Sequence, residues 1–170
     1  MRLIVERVHG DGDGWVVVSE TGNHYWGRFG AAGLLLRAAA PDGSVSVLLQ
    51  HRAPWSHQGG TWALPGGARD SHETPEQAAV REAWEEAGLT AEVLVVRTSV
   101  VTAEVPGWTY TTVIADAGSL LETVPNRESS ELRWVPMDDV AELPLHPGFA
   151  DSWPQLLEVI SDLGVISARS

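Results

Sequence analysis

The segment Gly67–Leu89, GARDSHETPEQAAVREAWEEAGL, places six acidic side chains in 23 residues, and three of them, Glu82, Glu85 and Glu86, fall within five positions. Its boundaries are those of a helix. Thr74 can cap, Pro75 suits the first helical position, Gln77 completes a Thr-x-x-Gln capping box, and Gly88 offers a left-handed stop. On that helix Glu82, Glu85 and Glu86 stand at i, i+3 and i+4, so their carboxylates project from one face. Val80, Ala83, Trp84 and Ala87 fall on the opposite arc and are expected to pack against a sheet. A solvated acidic face is the plain alternative, but such a face normally interleaves cations to offset like-charge repulsion, and here only Arg81 is close. A bound divalent cation would turn the repulsion into coordination.

Composition narrows what surrounds this helix. At 170 residues with 44 % apolar content and eight Trp, the chain reads as one globular domain spanning 1–170. The absence of cysteine removes disulfides and thiolate sites and fits a reducing compartment, so a cytoplasmic location is expected. No stretch approaches the ~18 apolar residues of a membrane-spanning helix, and no membrane association is expected. Eleven basic against 23 acidic residues give a net charge of -12, which repels polymeric nucleic acid. A small phosphorylated ligand remains compatible if a divalent metal intervenes between it and the acidic surface.

Strand signals lie on both sides of the helix. WVVVSE (15–20) and HYWGRF (24–29) across a TGN turn read as a hairpin, within an N-terminal extension covering residues 1–28. This hairpin, carrying Trp15 and Trp26, is expected to cover a sheet edge or to meet a second subunit; monomer and homodimer both stay open. GDGDG (10–14) reads as a turn, because it lacks the later ligands of a calcium loop. AAGLLLRAA and VSVLLQHR read as two half-buried strands flanking a PDGS turn. After the helix, AEVLVVRTSVV, WTYTTVIAD and a short LRWV read as strands, PMDDVAEL as a turn or short helix, and 149–163 as a last helix. The alternation predicts an α/β fold, a mixed sheet sandwiched between helices (α/β/α).

The spacing Gly67, five residues, Glu73, seven residues, then Arg81-Glu82-Ala83-Trp84-Glu85-Glu86-Ala87-Gly88-Leu89 agrees at nine fixed positions with the Nudix box, G-x5-E-x7-R-E-U-x-E-E-x-G-U with U apolar. The chain therefore resembles the Nudix hydrolases, and LLQHRAPW, WALPGG and ELRWVPMDDV extend the likeness around the box. The resemblance implies hydrolysis of a diphosphate linkage in a nucleoside diphosphate derivative with Mg2+ or Mn2+. It assigns metal binding to Glu85 and Glu86, with the Gly67 carbonyl as a further ligand, and makes Glu82 a ligand or the base that deprotonates water. Arg81 and Glu73 become the pair bracing the loop against the helix. MutT-like relatives use one more glutamate before the closing tryptophan; Glu128 matches that offset better than Glu131.

Substrate contacts are less constrained. Arg52 matches an arginine that lies near the nucleotide phosphates in MutT-like proteins, and Trp108 and Tyr110 are candidates for stacking on a base. His146, with His51 and His57, is a candidate phosphate or base contact, each weighed against a packing role. The layout most resembles actinobacterial MutT-type proteins assigned to oxidised guanine nucleotides, which implies 8-oxo-dGTP converted to the monophosphate and pyrophosphate. One departure stands out: the asparagine that reads the base in the MutT prototype would fall near Pro147. Hydrolysis of ADP-ribose or another nucleoside diphosphate derivative is the alternative substrate reading, and a non-catalytic nucleotide-sensing domain is the alternative of another class.

Overall fold

The computed structural model describes residues 10–127 and 129–166. Trp15–Val17 (β1) and His24–Trp26 (β2) form a separate antiparallel hairpin in which Trp15 faces Trp26. The main sheet has seven strands: Ala31–Ala39 (β3), Val45–Arg52 (β4), Trp62–Ala63 (β5), Gly66–Ala68 (β6), Val95–Val105 (β7), Trp108–Asp116 (β8) and Ser129–Pro136 (β9). Its main path runs β5-β4-β3-β8-β7, with β6 on β3 and β9 on β4. The β3–β8 pairing is parallel and the others are antiparallel, so the sheet is mixed as expected.

Strand β3 shows why the sheet carries a layer on each face. Ala31 to Ala38 are all buried, Arg37 among them, where the sequence predicts a half-buried strand, because both faces of β3 are covered. Ala32, Leu34, Leu36 and Ala38 share a core with Ala78, Ala79, Ala83 and Ala87 of helix α1 (Pro75–Ala87). Leu35 turns the other way, into a core with Phe149, Trp153, Leu156 and Ile160 of helix α2 (Pro147–Leu163). Period-2 alternation along one strand thus serves two helices.

The boundaries of α1 are those written in its sequence. Thr74 Oγ1 accepts from Gln77 N (3.2 Å), Gln77 Oε1 accepts from Thr74 N (2.9 Å), and Gly88 takes φ 70°. Its buried face differs from the expected one: Trp84 is 59 % exposed, while Ala78 and Ala79 are buried together with Glu82 and Glu86. The helix approaches the sheet through methyl side chains, and an indole would hold it away. Glu82 and Glu86 consequently point into the protein.

Two further differences concern polar residues. The last strand begins at Ser129, not Leu132, because Gln50 Nε2 donates to Ser129 Oγ (2.6 Å) across a bulged register beside His51 and Arg52. Helix α2 begins at Pro147, with His146 as its cap. A buried ion cluster also joins the layers. Arg37, 1 % exposed, donates from Nε and Nη2 to Asp116 (2.7 and 3.0 Å) and from Nη1 to the Gly164 carbonyl (3.2 Å), and Arg97 reaches the same carboxylate (2.8 Å). It pins the end of α2 to the sheet.

Candidate active site

Arg81 organises the acidic helix. Its Nε and Nη2 donate to the two oxygens of Glu73 (2.6 and 3.0 Å), Nη2 also reaches the Ala68 carbonyl (2.9 Å), and Nη1 contacts Glu82 Oε1 (2.9 Å) and Glu85 Oε2 (3.4 Å). One planar guanidinium therefore ties the loop ahead of α1 to the helix, a geometry that arginine's fixed fork allows. Burial alone would raise the Glu73 carboxyl, but hydrogen bonds from Arg81 and the Asp70 backbone hold it below its ordinary value of 4.5. Glu86 Oε2 accepts from the backbone N–H of Gly66 (2.8 Å).

The chemistry of this set fits a hard divalent cation, since Glu82, Glu85, Glu86 and the nearby Gly67 carbonyl are all oxygen donors. Gly67 lies directly against Glu82: a Cβ at Gly67 would stand 2.5 Å from Glu82 Oε1, so any larger residue would displace that carboxylate. The three carboxylates are not gathered on one point, however, because Arg81 draws Glu82 and Glu85 and Gly66 holds Glu86. Among the described residues, the acidic group whose ligand atoms lie within 4.8 Å of one another is Asp11, Asp70 and His72. These carboxylates are engaged locally: Asp11 accepts from the Ser71 backbone N–H (2.9 Å) and hydroxyl, and Asp70 from Gly12 N (2.9 Å). That group fastens the N-terminal turn to the loop ahead of α1.

Beside Glu86, Gly66 and Gly67 opens a cleft of about 760 Å³, within the ~300–1,000 Å³ usual for small-molecule sites. Arg52, Trp108, Tyr110 and His146 all line it, so the structure brings the expected substrate contacts together. Arg52 Nε donates to the His57 carbonyl (2.9 Å). The Tyr110 hydroxyl is wedged against the β3–β6 backbone, where a Cβ on Gly33 or Gly66 would come within 2.0 or 3.1 Å of it. Burial raises the Tyr110 phenol well above its ordinary pKa, with the Glu86 and Glu82 charges adding and Arg52 opposing, so it stays protonated.

His146 has a structural duty as well. Its Nδ1 accepts from Gly148 N (3.1 Å) as the cap of α2. Burial, then the nearby positive charges of Arg52 and His57, lower its pKa below 6.5. The neutral ring is the capping form, so this contribution to stability is complete above pH 6.5 and is lost as pH falls through the lowered folded value. Thermal melts over that range should show the wild type losing its margin over a His146→Asn variant, whose amide caps at any pH. Parallel curves would remove the assignment.

Other candidates lie elsewhere. His51 is held by the Ser130 hydroxyl and the Gly60 carbonyl (3.1 Å) and stacks on Trp62 at 4.7 Å, a packing histidine. Glu131 pairs with the exposed Arg133 (2.9 Å) on β9. Glu128 lies outside the described residues.

The hairpin, expected to cover a sheet edge or to meet a second subunit, also contributes to the site. It meets the cleft of its own chain: Trp15, Tyr25 and Trp26 line it together with Trp55. The alternating aromatic residues WVV and HYW mark a strand pair, but nothing local says which surface it covers.

Comparison with known proteins agrees with this architecture. The NUDIX domain family model matches residues 28–156. A Mycobacterium tuberculosis protein named "Putative 8-oxo-dGTP diphosphatase 3" is 74 % identical over 156 residues, covering 89 % of this chain and 71 % of that protein. A Bifidobacterium longum protein named a nucleoside triphosphate pyrophosphatase/Nudix hydrolase fusion protein is 43 % identical over 94 % of this chain, which spans 34 % of the fusion's length. The crystal structure of the M. smegmatis Nudix hydrolase RenU superposes with a TM-score of 0.88 at 69 % identity, covering 92 % of this chain and 99 % of that one. Fold and relatives together define a hydrolase acting on acid anhydrides. The chain belongs to the Nudix family, whose members generally use a divalent cation.

Proposed function

We propose that this enzyme is a Mg2+-dependent nucleoside triphosphate pyrophosphohydrolase whose substrate is 8-oxo-dGTP or a related (d)NTP, giving the monophosphate and pyrophosphate. The observation that carries the proposal is the meeting of the acidic helix and an aromatic cleft at Gly66, Gly67 and Glu86. The name of the 74 % identical relative supports the choice of oxidised guanine nucleotide.

Glu82, Glu85, Glu86 and the Gly67 carbonyl would hold Mg2+, which when bound supplies charge neutralisation for phosphate oxygens and acidifies water. Glu82, buried to 3 % exposure beside Gly67, would accept a proton from the attacking water. Arg52 supplies positive charge to the cleft, the Tyr110 hydroxyl can donate to a phosphate oxygen, and Arg81 with Glu73 keeps the loop in place.

A panel of 8-oxo-dGTP, dGTP, CTP and ADP-ribose with Mg2+, with products resolved, tests the reading. Pyrophosphate release with the highest kcat/KM on 8-oxo-dGTP is expected. Preferential cleavage of ADP-ribose would replace it with the alternative substrate class, and no turnover of any compound would indicate a non-catalytic nucleotide-binding domain.

A further inference from the structure

Tryptophan is used unevenly in this molecule. Four of the eight, Trp15, Trp26, Trp55 and Trp108, line the cleft that reaches the acidic helix. Trp15, Trp26 and Trp55 are 52, 42 and 77 % exposed. Indole faces left toward water at the mouth of a cleft, on a surface otherwise dominated by acidic groups, are a mark of a ligand site.

The two indoles of the hairpin are positioned as a pair. Trp15 and Trp26 meet edge to face at 5.0 Å, and Trp15 contacts His57 across the cleft mouth at 6.3 Å. Trp108 is fixed from the same hairpin: Tyr25 lies 4.8 Å from it at 32°, and its Nε1–H donates to the Trp26 carbonyl (3.1 Å). The polar edge of Trp108 is thus occupied and its ring plane is set by the hairpin.

The hairpin is in turn locked to the loop that precedes the acidic helix. Gly12 donates to Asp70, Asp11 accepts from Ser71, and Arg28 N donates to the Gly12 carbonyl (2.8 Å). A Cβ on Gly12 would stand 2.0 Å from the Arg69 carbonyl, and one on Gly10 would stand 2.0 Å from Asp70 Oδ1. The glycines of GDGDG let this turn lie flat on the loop. All of it precedes or just reaches residue 28, where the match to the family domain begins.

We propose that the β1–β2 hairpin is a base-binding element of this enzyme, in which Trp15 and Trp26, with Trp108 held by Tyr25, form an aromatic wall that takes the base of a nucleotide. The phosphates then lie toward Arg52, Gly66 and Glu86. Recognition by ring faces needs no asparagine at the start of α2, where this chain has Pro147. The inference rests on the reading of the site as a nucleotide hydrolase, though not on which nucleotide is the substrate.

The test compares wild type with Trp15→Ala, Trp26→Ala and the conservative Trp15→Phe and Trp26→Phe. Both indoles are about half exposed and lie outside the two core clusters, so the alanine variants should fold, which circular dichroism checks. For whichever nucleotide of the panel the wild type hydrolyses, each alanine variant should raise KM about tenfold or more with kcat within about twofold, the scale of one lost stacking contact. The phenylalanine variants should recover most of that loss, and inhibition by inorganic pyrophosphate, which has no base, should be unchanged. An unchanged KM, or pyrophosphate affinity falling in parallel, overturns the wall. Cleavage of ADP-ribose in preference to 8-oxo-dGTP overturns the substrate assignment alone. A wild type that neither hydrolyses nor binds any nucleotide, by calorimetry, overturns both.

Discussion

Glu82→Gln and Glu86→Gln should each lower turnover by at least about 100-fold while the protein remains folded. Both side chains are 3 % exposed, so each change acts on a charge held inside the protein. The amide is close in size to the carboxylate, so packing against Gly67 and β6 is kept. A glutamine at 86 can still accept from Gly66 N through its carbonyl oxygen, which separates the hydrogen bond from the charge. At 82 the variant removes one carboxylate from Arg81, which retains its paired contact with Glu73. Steady-state turnover at saturating substrate and Mg2+, with thermal melts alongside, measures the effect. Full activity in either folded variant would contradict the roles proposed for these residues.

The sequence made the centre of this molecule legible and left its edges unreadable, for physical reasons. The acidic helix announces itself because caps, spacing and charge are local properties of 23 consecutive residues. Strand β3 is legible as a strand ending in a turn, but its double-sided burial is not: the segment reads as half-buried, and the Arg37 within it can be buried only because Asp116 on β8 pairs it. Trp84 misleads because hydrophobicity predicts burial, while the close approach of α1 selects alanine and pushes the indole out. The start of β9 misleads because its serines have little strand preference; a cross-strand hydrogen bond from Gln50 recruits them.

Charges distant in sequence are the other unreadable class. Arg37 and Asp116 are 79 residues apart, and no spacing rule joins them. The hairpin is similar: its strands are predictable, but its place against the cleft depends on Asp11–Ser71 and Gly12–Asp70, pairs about 60 residues apart. The same long-range contacts bring Trp15, Tyr25 and Trp26 to the cleft, so the least predictable part of the fold lies at the candidate site.

Arg81→Met should cost about 3 kcal/mol of stability, because removing the cation from a largely buried ion network strands its carboxylates. The arginine side chain is 28 % exposed, but its partners Glu73 and Glu82 are at 7 and 3 %, so water cannot replace the lost guanidinium. Methionine keeps the apolar stem and deletes only the charge and the donors. The sign of the pH dependence follows from Glu73. Its folded pKa lies below 4.5, so the wild-type ion pair contributes fully above that value and is lost as pH falls through the folded one. The gap between wild type and variant should therefore be widest near neutral pH and should close in acid. Urea denaturation in a chelating buffer, at pH 7 and again near pH 4, measures it without any contribution from metal. A gap that stays constant with pH would mean that lost packing, and not stranded charge, accounts for the deficit. Arg81→Lys should recover only part of the loss, since an ammonium cannot reach both oxygens of Glu73 and the Ala68 carbonyl in one plane.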